Sequence, residues 1–155
     1  MLKRIHLVAA FLAPLCIAMF FSSTVLTELF GSPAAVAQLK SWIVAPGLWI
    51  LIPSLAATGG SGMFLARSRR GRLVDRKRKR MALIAANGLL VLVPSAIVLN
   101  RWASAGAFDA TFYVVQALEL LAGALNLTLM ILNLCDGLRL TGRLRAATST
   151  QAHGS

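Results

Sequence analysis

Seven residues of the last long apolar segment have the types and spacing that could do chemistry: Gln116, Glu119, Gly123, Asn126, Met130, Asn133 and Gly137. They follow alternating steps of three and four, which places them on one stripe of an α-helix. Glu119 is the sole acidic residue well inside any apolar segment, because Glu28 sits at the outer edge of the first. Hydrocarbon offers a carboxylate no partners, so Glu119 needs a proton, a cation or a counter-ion supplied by another helix. Arg101, near the corresponding end of the preceding segment, is the expected counter-ion. Gln116 and Asn126 would add oxygen ligands or hydrogen bonds, and Asn87 should meet Asn133 at a similar depth.

That stripe supports two readings. In the first, Glu119 binds a proton or cation in a small coupled transporter. In the second, Glu119, Gln116, Asn126, Asn133 and Asn87 hold helices together through interhelical hydrogen bonds. The Asn residues favour the second reading, and Glu119 is balanced between the two.

Both readings presuppose a membrane, and composition requires one. The 155 residues are 57% hydrophobic and only 14% charged, against roughly 25% charged in soluble domains. Sixteen basic residues face five acidic ones, for a net charge of +11. Fourteen of the sixteen fall in three clusters: Lys3 with Arg4, the run 67–80, and Arg139, Arg143 and Arg145. Between the clusters lie stretches long enough for the about 20 apolar residues that a spanning helix needs. The expected fold is all-α: a polytopic bundle of four transmembrane helices, with spans at about 5–26, 43–65, 81–100 and 111–135. These make one domain over 1–145, followed by a disordered tail over 146–155.

The run 67–80, RSRRGRLVDRKRKR, contains Arg67, Arg69, Arg70, Arg72, Arg76, Lys77, Arg78, Lys79 and Arg80. In a soluble chain it would suggest nucleic acid. Bracketed by spans, it reads as a cytoplasmic loop whose side chains contact anionic lipid headgroups, at about 1 kcal/mol per basic residue. Only Lys40 and Arg101 fall on the other side, so the positive-inside rule places both termini in the cytoplasm. The first segment exceeds the roughly 7–15 apolar residues of a secretory signal and reads as a retained helix. The abundance of Ala, Leu and Arg fits a bacterial inner membrane.

Local signals refine the spans. Ser32 followed by Pro33 forms an N-cap and first helical position in the connection 30–40, with entry into the membrane near Trp42. Pro46 and Pro53 remove backbone hydrogen bonds and predict a kinked or locally opened second helix. The segment Thr58-Gly59-Gly60-Ser61-Gly62 offers a surface for close helix packing. Asp109 caps the fourth helix, with Phe108 and Tyr113 as a hydrophobic staple.

Several chemistries lack their residues. His6 and His153, the two histidines, leave no axial haem pair and no zinc set within the spans. Cys16 and Cys135 lie at different depths and outside any CxxC, as expected of small buried hydrophobes rather than a disulfide. No Ser-His-Asp set or carboxylate pair assembles. The sequence thus calls for no cofactor and no metal. Its first reading is a non-enzymatic accessory or assembly subunit, partnered by anionic lipids and by itself or another membrane protein, with no nucleic acid. The second is the Glu119 transporter, and the third an enzyme acting on lipid.

Overall fold

A computed structural model describes residues 2–65 and 72–140. Arg67, Arg69 and Arg70 of the basic run, and the tail 146–155, lie outside the described residues. All regular structure among those residues is helical: α1 (Leu2–Phe30), α2 (Pro33–Trp42), α3 (Leu48–Leu65), α4 (Arg72–Asn87), α5 (Val93–Ser104) and α6 (Ala110–Leu140). Four stretches are long and apolar enough to cross a membrane: Val8–Phe30, Pro33–Ser61, Val74–Ser104 and Ala110–Gly137. The chain is a multi-pass, four-span helical protein.

The second and third spans are each two α-helices joined by a widened turn. Pro46 has no N–H to give the carbonyl of Trp42, and the helix opens around it into a π-turn over Ile43–Gly47. The Leu48 N–H then bonds the carbonyl of Ile43, five residues back. A second π-turn, Gly88–Leu92, precedes Pro94, with the Val93 N–H on the Gly88 carbonyl. Pro53, by contrast, lies inside an unbroken α3. Proline therefore opened the second span at one position of the two expected.

The caps follow the sequence. Ser32 Oγ accepts the Ala35 N–H at 3.3 Å, with Pro33 opening α2. Asp109 Oδ1 accepts the Phe112 N–H at 2.9 Å. The ring against Phe108 is Phe112, edge-on with centroids 4.9 Å apart, and Tyr113 packs on Phe112 in turn. The expected staple is thus built one residue earlier, because Phe112 points inward and Tyr113 is exposed.

Packing runs round the bundle, α1 against α3 and α6, α6 against α4 and α5, and α2 against α5. Contact between α3 and α4 is slight, so the second and third spans separate toward the end carrying residues 66–71. Two apolar layers form. One gathers Ala13, Ile17, Leu48, Leu51, Ile84 and Met130, with Cys16 packed against it. The other gathers Val36, Leu99, Ala103 and Phe112 near the turns that join α1 to α2 and α5 to α6. Both cysteines are free thiols.

Two boundaries differ from expectation. Helix α4 begins at Arg72, so the second half of the basic run is helix rather than loop. Helix α6 continues through Asp136 to Leu140 instead of ending near Cys135. In both cases charged residues extend a helix past its apolar core, which hydropathy alone cannot see.

Candidate functional site

Helix α2 starts at Pro33, so Lys40 stands seven residues inside it, roughly 10 Å along the axis. Its side chain is 1% exposed, and its Nζ lies 2.5 Å from Glu119 Oε2. Glu119 is nine residues into α6, at a matching height. Gln116, one turn earlier on the same stripe, donates from Nε2 to the same carboxylate oxygen at 3.2 Å. Lys40 therefore takes the place expected for Arg101, which is exposed at the far end of α5. The reason is geometric: the early start of α2 carries Lys40 into the bundle, where α2 packs on α5 beside α6.

Glu28, near the end of α1, belongs to the same neighbourhood, close enough for the charges of Lys40 and Glu119 to act on it. Its Oε1 is buried without a hydrogen-bond partner, and so is Gln116 Oε1. A cavity of about 60 Å³ adjoins the ion pair. Its wall includes Phe20, Thr24, Ile43, Leu51, Glu119 and Gly123, and among the described residues Glu119 is the one ionisable group lining it.

No family model, curated protein or solved structure matches the chain.

Lower on the stripe the amides are joined. Asn87 Nδ2 donates at 2.9 Å both to Asn126 Oδ1 and to the Ala122 carbonyl. Asn126, fully buried, returns a bond from Nδ2 to the Ile84 carbonyl at 3.3 Å. Asn87 thus meets Asn126 rather than Asn133, whose Oδ1 is buried without a partner. About two turns of α6 separate the two candidates, and the π-turn that begins at Gly88 directly follows Asn87 at the end of α4. A Cβ at Gly88 would stand only 3.6 Å from Asn126 Nδ2.

The basic run divides by face. Arg76, Arg78 and Lys79 are exposed, as headgroup contacts would be. Arg80 instead turns inward and pairs with Asp136 at 2.7 Å. Lys77 is half-buried against α6, where a Cβ on Gly137 would meet its Nζ at 3.2 Å. Of Arg72 the backbone alone is described, as the first residue of α4.

Sequence reasoning left Lys40, Glu28 and Asp136 out of the site. For Lys40 the signal was present, since a cap at Ser32 puts it two turns inside a helix. For Asp136 it was present too: it stands one residue before Gly137, on the edge of the polar stripe.

Proposed function

We propose that the chain is a non-enzymatic accessory or assembly subunit of the membrane, N-in and C-in. The small-residue face of α3 carries this reading. A Cβ at Gly60 would meet nothing within 4 Å, and one at Gly59 only the terminal methyl of Met81 at 4.0 Å. Ser54 and Thr58 turn their hydroxyls onto their own helix at 2.7 Å, leaving that helix smooth. Small residues let a second helix approach closely in lipid, where hydrophobicity gives no drive to associate. The polar stripe of α6 supports the same reading, because Lys40, Asn87 and Arg80 occupy Glu119, Asn126 and Asp136 within the chain. The partner is a second copy or another membrane protein; the distribution of basic residues supports a cytoplasmic 67–80 segment, and the abundance of Ala, Leu and Arg fits a bacterial inner membrane.

The test is purification in mild detergent, with intact-complex mass spectrometry. A stoichiometric complex or homo-oligomer that dissociates when Gly59 and Gly60 are changed to Leu is the expected result. A monomer of unchanged mass in both forms would sink it.

A second reading, a proton- or cation-coupled transporter, is favoured by one observation: the cavity reaches Glu119. It requires substrate-linked proton movement in proteoliposomes that Glu119→Gln abolishes while the protein still inserts.

A further inference from the structure

We infer that the cavity between the four spans is a binding slot for the hydroxyl end of an uncharged hydrocarbon chain. Its wall takes residues from every span, among them Ile17 and Phe20 of α1, Leu51 of α3, Leu92 of the second π-turn and Glu119 of α6. Phe20, Leu48 and Gly123, all wall residues, lie near the middle of their spans, so a guest arrives from hydrocarbon rather than from water. An apolar cavity stays dry and takes apolar guests. At roughly 10–15 Å³ for each group of water size, the cavity of about 60 Å³ holds roughly four to six heavy atoms.

The slot has a direction. Its two polar side chains, Thr24 and Glu119, both stand toward the end that carries the α1–α2 and α5–α6 turns, and the wall beyond them is hydrocarbon and aromatic rings. Lys40 and Gln116 both bond Glu119 through Oε2, and among the described residues Oε1 receives no bond. Thr24 is 4% exposed, so its hydroxyl has the slot rather than the surface to serve. A guest hydroxyl can donate to Glu119 Oε1 and accept from Thr24 Oγ1, using its donor and its acceptor together.

Charge excludes the other chain ends. Lys40 already neutralises Glu119 at 2.5 Å. An ammonium guest would bring an unpaired positive charge beside Lys40, and a carboxylate guest an unpaired negative one beside Glu119. Either is costly in a low dielectric. A plain alkane would leave both polar groups unused. Phe21 of α1 and Leu120 of α6 are half-buried wall residues, which puts the entrance from lipid between those two helices. A longer tail leaves the slot that way into the bilayer.

The slot goes beyond the assembly reading and requires no transport. Photolabelling in nanodiscs with a pentanol that carries a diazirine on its chain, mapped by mass spectrometry, tests it. Labelling should saturate at a single probe per chain and fall on wall residues such as Phe20 and Leu92. Unlabelled 1-pentanol should displace the probe about tenfold more effectively than pentane, pentylamine or pentanoate at equal concentration in the bilayer, the ratio that one hydrogen bond to a charged group gives. Ala96→Leu and Gly123→Leu fill the slot and should abolish the labelling, whereas Thr24→Val keeps its shape and should weaken it. Labelling that never saturates, or that falls on exposed faces such as Leu118 and Leu121, overturns the inference without relying on any variant. Pentane displacing as well as pentanol, pentylamine displacing better, or labelling unchanged in both filled variants would also overturn it. A monomer with the labelling intact would reject assembly and leave the slot standing, and a stable complex without labelling would reject the slot alone.

Discussion

The Lys40 ammonium and the Glu119 carboxylate, 79 residues apart in sequence, meet at 2.5 Å inside the bundle and fasten α2 to α6. Lys40 has almost no contact with solvent and Glu119 little. Such a pair adds modest net stability over an apolar replacement, yet breaking it strands a charge. Lys40→Ala should therefore lower stability by about 3–5 kcal/mol. Replacing both partners, Lys40→Met with Glu119→Leu, should recover most of that loss. Unfolding by steric trapping in bicelles measures both, and a double variant as unstable as Lys40→Ala would show that the pair is not the cause.

How far this could be read in advance depends on which signal each residue carried. The four spans were legible because apolar length is a strong signal, and so were the caps at Ser32 and Asp109. The inward stripe on α6 was legible from spacing alone. The partners across it were not, since spacing on one helix says nothing of the rotation of its neighbours. Lys40 was hidden for a further reason. Its positive charge counts as a flanking residue in a topology rule, although the Ser32 cap had already placed it in a helix. Arg80 was hidden likewise among eight other cations, where only the end of α6 at Leu140, past Asp136, singles it out.

The Asn87–Asn126 link should be real but small. Interhelical hydrogen bonds in membranes average about 0.6 kcal/mol and reach about 1.7. Asn126→Ala removes its bonds to Asn87 and to the Ile84 carbonyl and opens a void at a fully buried site. A loss of about 1–3 kcal/mol is expected, larger than for Asn133→Ala, whose Oδ1 has no partner to lose. Equal losses in the two variants, measured under the same bicelle conditions, would contradict the assignment.

Gly47 closes the first π-turn against α1. A Cβ there would lie 2.6 Å from Phe20 Cζ and 3.2 Å from the Trp42 carbonyl oxygen. Gly47→Ala should therefore cost about 1–3 kcal/mol, as overpacking does. Phe20→Leu in the same chain should relieve the ring clash, giving a coupling energy of opposite sign in a double-mutant cycle. Additive losses would place the strain in the backbone of the turn.

The basic helix should separate into two functions. Arg80 pairs with Asp136 and ties α4 to α6, whereas Arg78 and Lys79 are exposed. Anionic headgroups stabilise each surface cation by about 1 kcal/mol, a term that salt screens. Arg78→Ala and Lys79→Ala should hence reduce the number of anionic lipids retained in native mass spectrometry and leave stability in zwitterionic bicelles unchanged. Arg80→Ala should do the reverse, because it leaves the buried Asp136 carboxylate without its partner whatever the lipid. Asp136→Asn supplies the converse. Its amide can still accept from Arg80 through Oδ1 but carries no charge, so the loss should be smaller than for Arg80→Ala. If all four variants shift lipid retention equally and none shifts stability, Arg80 belongs with the surface cations and α4 is held to α6 by its apolar contacts and the Asn87–Asn126 bonds.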